Sequence, residues 1–303
     1  MKNTIKKIGL FLIPIVLVFS FIEIFYRCIP NDYSIKNKTI SQNYKQSEVL
    51  IFGNSHTLYG LDPNYFSVPA YNVANISQTL YFDSLLFEKH ISKFKKIKKI
   101  ILNVEYTSLS EQIDSGESNW RKFYYFHYMD LEIPSISDFD YRRICISSTR
   151  NFNFNCKLIA NFIKKKTLLN TNNKGFGINY SYENRNEITD KEGKEVVKKH
   201  EDNSLNYKNN STILEKIIEI CEKRNIEVIL VSMPVSNSYR KYCNPIKIKK
   251  INATCNALKS KHKNVVYLNL FSDSKFIDDD FYDVDHLNSK GAKKCTKILM
   301  EKI

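Results

Sequence analysis

Val49-Leu50-Ile51-Phe52-Gly53-Asn54-Ser55-His56 runs from unbroken apolar residues straight into a small, polar turn. Four consecutive apolar residues closed by a glycine describe a strand buried on both faces, the kind that fills the middle of a parallel sheet. Open α/β sheets gather their ligands at the C-terminal ends of such strands. A serine carried to that edge by a glycine turn has two readings from these residues alone. It is a nucleophile, or it is the N-cap of the next helix.

Outward from this stretch the alternation continues. A polar tether runs from about Asn31 to Ser47, and the first strand spans Glu48 to Phe52. Ala70 to Val73 reads as a short strand after Pro69, Ser77 to Phe94 as a helix with Leu80, Leu85, Phe87, His90, Ile91 and Phe94 at near-helical spacing, and Lys99 to Val104 as a buried strand. The pattern resumes with a helix at Ser211 to Arg224, a strand at Glu227 to Ser232, a helix at Pro245 to His262, a strand at Asn264 to Leu270 and a last helix at Asn288 to Glu301. Strands alternating with helices predict an α/β three-layer sandwich around a central parallel sheet. Thr107 to Tyr207 breaks the rhythm and is too long for a loop, so it is expected to be an insertion with structure of its own. It either shapes access to the sheet edge or is a helical add-on.

Residues Ile8 to Tyr26 form a 19-residue, mostly apolar stretch behind Lys2, Lys6 and Lys7, with Arg27 after it. That length spans a bilayer, and the lysines predict an N-terminus in the cytoplasm and the remainder outside. A cleaved signal is disfavoured by bulky Ile24-Phe25-Tyr26-Arg27 where a peptidase needs small side chains, and Cys28 lacks the small residue that a lipoprotein site needs before it. Pro14 and Glu23 are irregular for such a helix; Glu23, near its outer end, is expected to reach the headgroups. The expected organisation is a cytoplasmic tip and anchor over 1–27, a tether over 28–47, and one domain over 48–303 interrupted by the insertion at 107–207.

The formal charge is +14, of which +11 lies beyond residue 27. Lysine is spread throughout a chain rich in Lys, Asn and Ile, and runs such as Lys93 to Lys99 and Lys164-Lys165-Lys166 match no nucleic-acid module. Nucleic acid is therefore not an expected partner. With 43% hydrophobic and 13% aromatic residues the chain can bury a real core. Six cysteines follow Cys28, and if this part is exported the short-range pairs Cys145 with Cys156 and Cys243 with Cys255 are conceivable. No zinc spacing is present, so neither a metal nor a cofactor is expected.

Near the other end, Phe281-Tyr282-Asp283-Val284-Asp285-His286-Leu287-Asn288 follows the last strand. A carboxylate on one imidazole nitrogen fixes the tautomer, so that the other nitrogen can take a proton from a serine hydroxyl. A serine after the first strand and an Asp-x-x-His before the last helix together make a stronger signal than either alone.

On these residues the chain resembles the SGNH (GDSL-like) hydrolase superfamily, and within it membrane-anchored members associated with bacterial envelope polymers. Gly53-Asn54-Ser55 matches the first family block, and Asp283 to His286 the last, with Leu287, Asn288, Gly291 and Ala292 in keeping. The resemblance implies a flavodoxin-like fold over about Glu48 to Ile303, with Ser55 as nucleophile, His286 as base and Asp283 as orienting acid. Asp285 is the rival acid. The family's oxyanion hole uses the serine amide, a second-block glycine and a third-block asparagine. Here the second block, Tyr71 to Ser77, has no glycine, which leaves Ala74 and Asn75 as donors beside Asn54, and the third block is replaced by Glu105-Tyr106-Thr107-Ser108. A serine esterase or O-acyltransferase acting on O-acyl groups of an envelope or exported polysaccharide is implied, supplied where transfer occurs by a membrane-bound acyl donor protein. The alternative is a catalytically silent polysaccharide-binding or assembly module.

Other residues carry two readings. His56 is a substrate contact or an exposed helix-start histidine, and His90, on an apolar helical face, is expected as a core or boundary residue in preference to a catalytic one. Trp120, Tyr124, Tyr125 and Tyr128 stack on sugars or pack the insertion. Ser232-Met233-Pro234 lines the pocket or simply ends its strand.

Overall fold

In a computed structural model, residues 2–111 and 119–303 are described; residues 112–118 of the expected insertion lie outside them. The chain opens with α1 (Lys2–Cys28), α2 (Asp32–Gln42), β1 (Val49–Phe52), α3 (Ser55–Gly60), β2 (Ala70–Asn72), α4 (Leu80–His90) and β3 (Lys99–Asn103). It continues through α5 (Arg121–Met129), α6 (Phe152–Lys165), α7 (Asp190–His200), α8 (Lys208–Lys223), β4 (Glu227–Ser232), α9 (Asn237–Arg240), α10 (Pro245–Lys261), β5 (Val265–Asn269) and α11 (Ser289–Met300). The alternation read from apolar runs is present, with boundaries shifted by a few residues.

Two compact units make up the chain. One comprises residues 38–115 and 170–303 and holds the sheet; the other comprises 1–37 and 116–169. The stretch expected as one insertion is thus divided between them, and the segment read as a tether carries α2.

All five strands of the first unit are parallel, in the order β2-β1-β3-β4-β5. This is a doubly wound order, whose reversal lies between β1 and β3. Because the strands are covered on both faces, β1 shows no alternation: Val49, Leu50, Ile51 and Phe52 are all buried. One face packs Val49, Ile51, Ile101, Ile229, Val231 and Leu268 against Cys295, Ile298 and Leu299 of α11. On the other face Phe52 meets Phe87 of α4 edge to face, with ring centroids 6.3 Å apart, and the Tyr267 hydroxyl donates to Asn252 of α10 at 2.7 Å. The result is an α/β three-layer arrangement.

The second unit is helical and aromatic. Tyr33 packs edge-on against Tyr124 and Tyr125, and Arg150 lies over Trp120 at 4.0 Å. Tyr124 and Tyr125 are buried, so these two serve packing. Among the described residues one helix, α1, is long and apolar enough to cross a membrane, and most of it is exposed. Glu23 does not reach outward as expected. Its carboxylate accepts from the Ser147 amide at 2.9 Å and the Ile146 amide at 3.3 Å, and pairs with Arg27 at 2.7 Å, because a turn with unpaired amides needs an acceptor.

All seven cysteines are free. Neither conceivable disulfide is formed.

Candidate active site

Gly53 makes the turn after β1 in a backbone conformation (φ +122°) that side chains rarely adopt, and a Cβ there would meet Asn103 Cβ at 2.6 Å. The next residue settles the first ambiguity. Asn54 is the N-cap of α3: its side-chain oxygen accepts from the His56 amide at 3.0 Å. Ser55 is therefore the first residue of the helix, with its hydroxyl free to point elsewhere.

It points at His286. The Ser55 hydroxyl lies 2.8 Å from His286 Nε2 across 231 residues of sequence. Nδ1 of the same ring is 3.0 and 3.1 Å from the two oxygens of Asp283. Asp283 also accepts from the backbone amides of Asp285 at 3.1 Å and His286 at 2.8 Å, an Asx-type turn that aims the carboxylate at its own histidine. A bridge between Phe281 and Leu287 closes the loop.

Asp285 is shared between two histidines. Its Oδ1 is 3.3 Å from His286 Nδ1, and its Oδ2 is 3.3 Å from His56 Nε2. His56 is neither exposed nor open to substrate but buried, and its Nδ1 stands 2.7 Å from Glu105 Oε2, close enough for an ion pair yet off the line of a hydrogen bond. The Asn54 amide donates to Glu105, and Asn103 donates to Asn54 at 2.9 Å. Neither expected role of His56 holds, and Glu105 and Asn103 are site residues that the sequence does not announce, since nothing local marks a glutamate after a strand. Its position is the one signal: Glu105 stands just after β3, and the pairing of β1 with β3 brings it beside Asn54 and His56.

The charges follow from this chain of contacts. Burial works to lower the His56 pKa, but Glu105 and Asp285 outweigh it and raise it to about 9. Burial likewise opposes ionisation of Glu105, and His56 overcomes it, holding the carboxyl at about 2. His286 is pushed down by burial and more strongly up by Asp285 and Asp283, to well above the ordinary histidine value. His56, Asp285 and His286 bring possible ligand atoms within 4.8 Å of one another. The ion pairs and hydrogen bonds just described already engage those side chains, which makes the trio a poor cradle for a cation.

The expected oxyanion donors are engaged as well. The Ala74 amide donates to Asn72 Oδ1 at 3.0 Å, the Asn75 amide to the Gly53 carbonyl at 3.2 Å, and the Asn75 side chain to Gln78 at 3.3 Å. Beyond His286 a column of three rings closes one side: Tyr180 stacks on Tyr59 at 3.8 Å and on Tyr282 at 3.9 Å, and presents its ring to His286 at 5.3 Å and 80°. Tyr180 brings part of the expected insertion to the site. Ser232 hydrogen-bonds the Val104 carbonyl at 2.6 Å, serving the end of its strand. His90 is buried, with Tyr44 at 2.5 Å.

A family model for proteins of unknown function matches residues 171–303. No curated protein matches the chain. Among solved structures, it is similar to a Streptococcus pneumonia protein assigned as a platelet activating factor, at 15% identity over 88% of this chain and 90% of that one, with a TM-score of 0.42. A Bacteroides fragilis protein assigned as an acylhydrolase is similar at 12% identity over 89% and 94%, TM-score 0.40. A GDSL-like lipase from Bacteroides thetaiotaomicron is similar at 12% identity over 89% and 96%, TM-score 0.39. The similarity to these three structures is distant.

Proposed function

We propose that this chain is a serine esterase or O-acyltransferase of SGNH type, held to the cell membrane by α1. One observation carries the reading: two blocks 231 residues apart meet as Ser55, His286 and Asp283, with contacts of 2.8 and 3.0 Å. A serine hydroxyl is a weak nucleophile until a neighbouring base takes its proton. Ser55 Oγ attacks the ester carbonyl while His286 Nε2 removes the proton, and Asp283 stabilises the imidazolium that forms. Collapse of the tetrahedral intermediate breaks the bond to the alkoxide, which leaves with the proton from His286. Water or a sugar hydroxyl then loses a proton to His286 and takes the acyl group, and His286 returns that proton to the departing Ser55 Oγ. The Ser55 amide, first in α3, is one oxyanion donor; the Asn75 side chain, exchanging its 3.3 Å bond to Gln78, is the other. His56 and Glu105 are positioning residues: they turn Asp285 away from sole service to His286 and brace the nucleophile turn through Asn54.

O-acyl groups of an envelope or exported polysaccharide are the proposed substrate, with a membrane-bound acyl donor protein as partner where transfer occurs. Lys2, Lys6 and Lys7 in the first turns of α1, ahead of its apolar run, orient its start to the cytoplasm and the remainder outward. Protease added to spheroplasts should then digest the chain beyond α1, and a fully protected protein refutes the topology.

A second reading has its own support. With the Ala74 and Asn75 amides both engaged, the site is also that of a silent polysaccharide-binding module, because each missing oxyanion donor costs about 3 to 4 kcal/mol in acyl transfer. Full-length protein in detergent, treated with a fluorophosphonate probe and offered an aryl acetate, separates the two. Modification of Ser55 with turnover sustains the enzyme. An unlabelled protein that still binds polysaccharide is the silent module.

A further inference from the structure

Helix α6 has two apolar faces, and among the described residues only one is packed. The inner face is packed: Asn155 is buried, accepts from the Tyr26 hydroxyl at 2.8 Å and donates to the Ser147 carbonyl at 2.9 Å, while Phe162 meets Phe25 of α1 edge to face at 5.5 Å. The outer stripe is Phe152, Cys156, Ala160 and Ile163, spaced four, four and three residues apart, which is one side of a helix. Phe152 is 49% exposed and Ile163 61% exposed. Exposed Lys157, Lys164, Lys165 and Lys166 flank it.

This stripe does not stand alone. The Phe152 ring lies 6.3 Å from that of Phe19, which is itself exposed within the apolar run of α1. At the end of α1, Arg27 donates to the carbonyl of Ile144 at 2.5 Å, and the Ile144 side chain is 78% exposed. Glu23, the one carboxylate in the apolar stretch, holds the amides of the turn that leads into α6. Scattered exposed apolar residues need no explanation, but a patch continuous with a helix of bilayer-spanning length does.

We propose that α6 lies in the outer leaflet of the bilayer as an interfacial helix beside α1, its outer stripe among acyl chains and its lysines at anionic phospholipid headgroups. Continuity with the lipid-facing surface of α1 selects lipid as the occupant, and the flanking lysines match the charge of the headgroup layer, where long basic side chains extend to water. The unit formed by residues 1–37 and 116–169 is then a collar with two membrane contacts. The inference rests on α1 being a retained anchor.

Full-length protein in nanodiscs of phosphatidylethanolamine and phosphatidylglycerol, with Cys28→Ser and Cys145→Ser, provides the test. Spin labels are placed singly at Cys156 and, with Cys156→Ser, at Ile163→Cys, Asn161→Cys and Val16→Cys. All four positions are exposed, so labelling spares the packing. Labels at 156, 163 and 16 should be several-fold more accessible to oxygen than to a water-soluble nickel chelate, and the label at 161 should show the reverse. If the Val16 label is lipid-immersed while those at 156 and 163 meet nickel, the interfacial helix is overturned and the anchor stands. If the Val16 label also meets nickel, the anchor fails and the inference with it.

Discussion

His56 and Glu105 in the sheet-bearing unit, and Phe152 and Ile163 in the helical unit, depart from the ordinary sorting of residues in opposite senses. The first pair is charged and buried; the second is apolar and exposed. Folding alone rewards neither arrangement, since an unpaired buried charge is costly and exposed apolar surface forfeits its transfer energy. In the sheet unit the departures neutralise one another: Glu105 answers His56, and Asp285 answers both His56 and His286. In the helical unit no group among the described residues covers the stripe of α6, and its counterpart is sought outside the chain. Buried polarity thus points to chemistry within the fold, and exposed apolarity to a surface beyond it.

The sharpest way to break this comparison is at the serine. Ser55→Ala and His286→Ala should each lower kcat by roughly 10⁴ to 10⁶ with little change in thermal unfolding, and the double variant should be scarcely worse than either, because the residues act as one unit. Wild-type turnover of a verified substrate by both variants would remove the buried network from the chemistry.

Next comes the choice of acid. Asp283→Asn should cost on the order of 10³ to 10⁴ in kcat, since the amide preserves shape while losing the charge that stabilises the imidazolium. Asp285→Asn should cost less and act differently. With His286 held well above the ordinary histidine value, the acidic limb of the kcat/KM profile should lie above pH 6.5, where the imidazole becomes neutral. Removing the Asp285 charge should move that limb to lower pH. A crippled Asp285→Asn beside a nearly normal Asp283→Asn would reassign the acid.

Stability should report the His56–Glu105 pair. Glu105→Gln leaves a buried imidazolium without its main partner and should cost about 3 to 5 kcal/mol in denaturant unfolding. The pH signs are opposite for the two groups. Glu105, at about 2 instead of 4.5, contributes stability above pH 4.5 that is lost as pH falls toward 2; His56, at about 9 instead of 6.5, contributes below pH 6.5 what is lost as pH rises toward 9. Wild type should therefore be most stable between pH 4.5 and 6.5, as far as this one pair decides it, and Glu105→Gln should flatten both limbs. An unchanged profile would mean that the pair does not form.

The smallest effect is expected at the exposed stripe. Phe152→Ser and Ile163→Ser should each change unfolding in detergent by no more than about 0.5 kcal/mol, as substitutions on an uncovered face do. A loss of several kcal/mol would mean that the stripe is packed against protein.

Local features of this fold are legible in its residues. Runs such as Val49 to Phe52 and Glu227 to Ser232 specify buried strands because burial on both faces leaves no polar position, and Gly53 and Asp-x-x-His mark turns through chemistry that neighbouring residues supply. The lysines and apolar run at the start define α1 in the same way. Tertiary structure alone decided which ends meet. Nothing near Glu105 reveals His56; they are brought together by β1 pairing with β3 at the reversal of the sheet order. Asn54 rather than Ser55 became the helix cap, and Asp283 rather than Asp285 took the closer place on His286 because a turn of a few residues aims one carboxylate inward. The insertion read as one block was divided between two units, since sequence spacing records where a segment departs and not what it packs against. Periodicity is written by residues three or four apart, whereas a site is assembled from contacts hundreds of residues apart, whose partners are chosen only when the strands find their order.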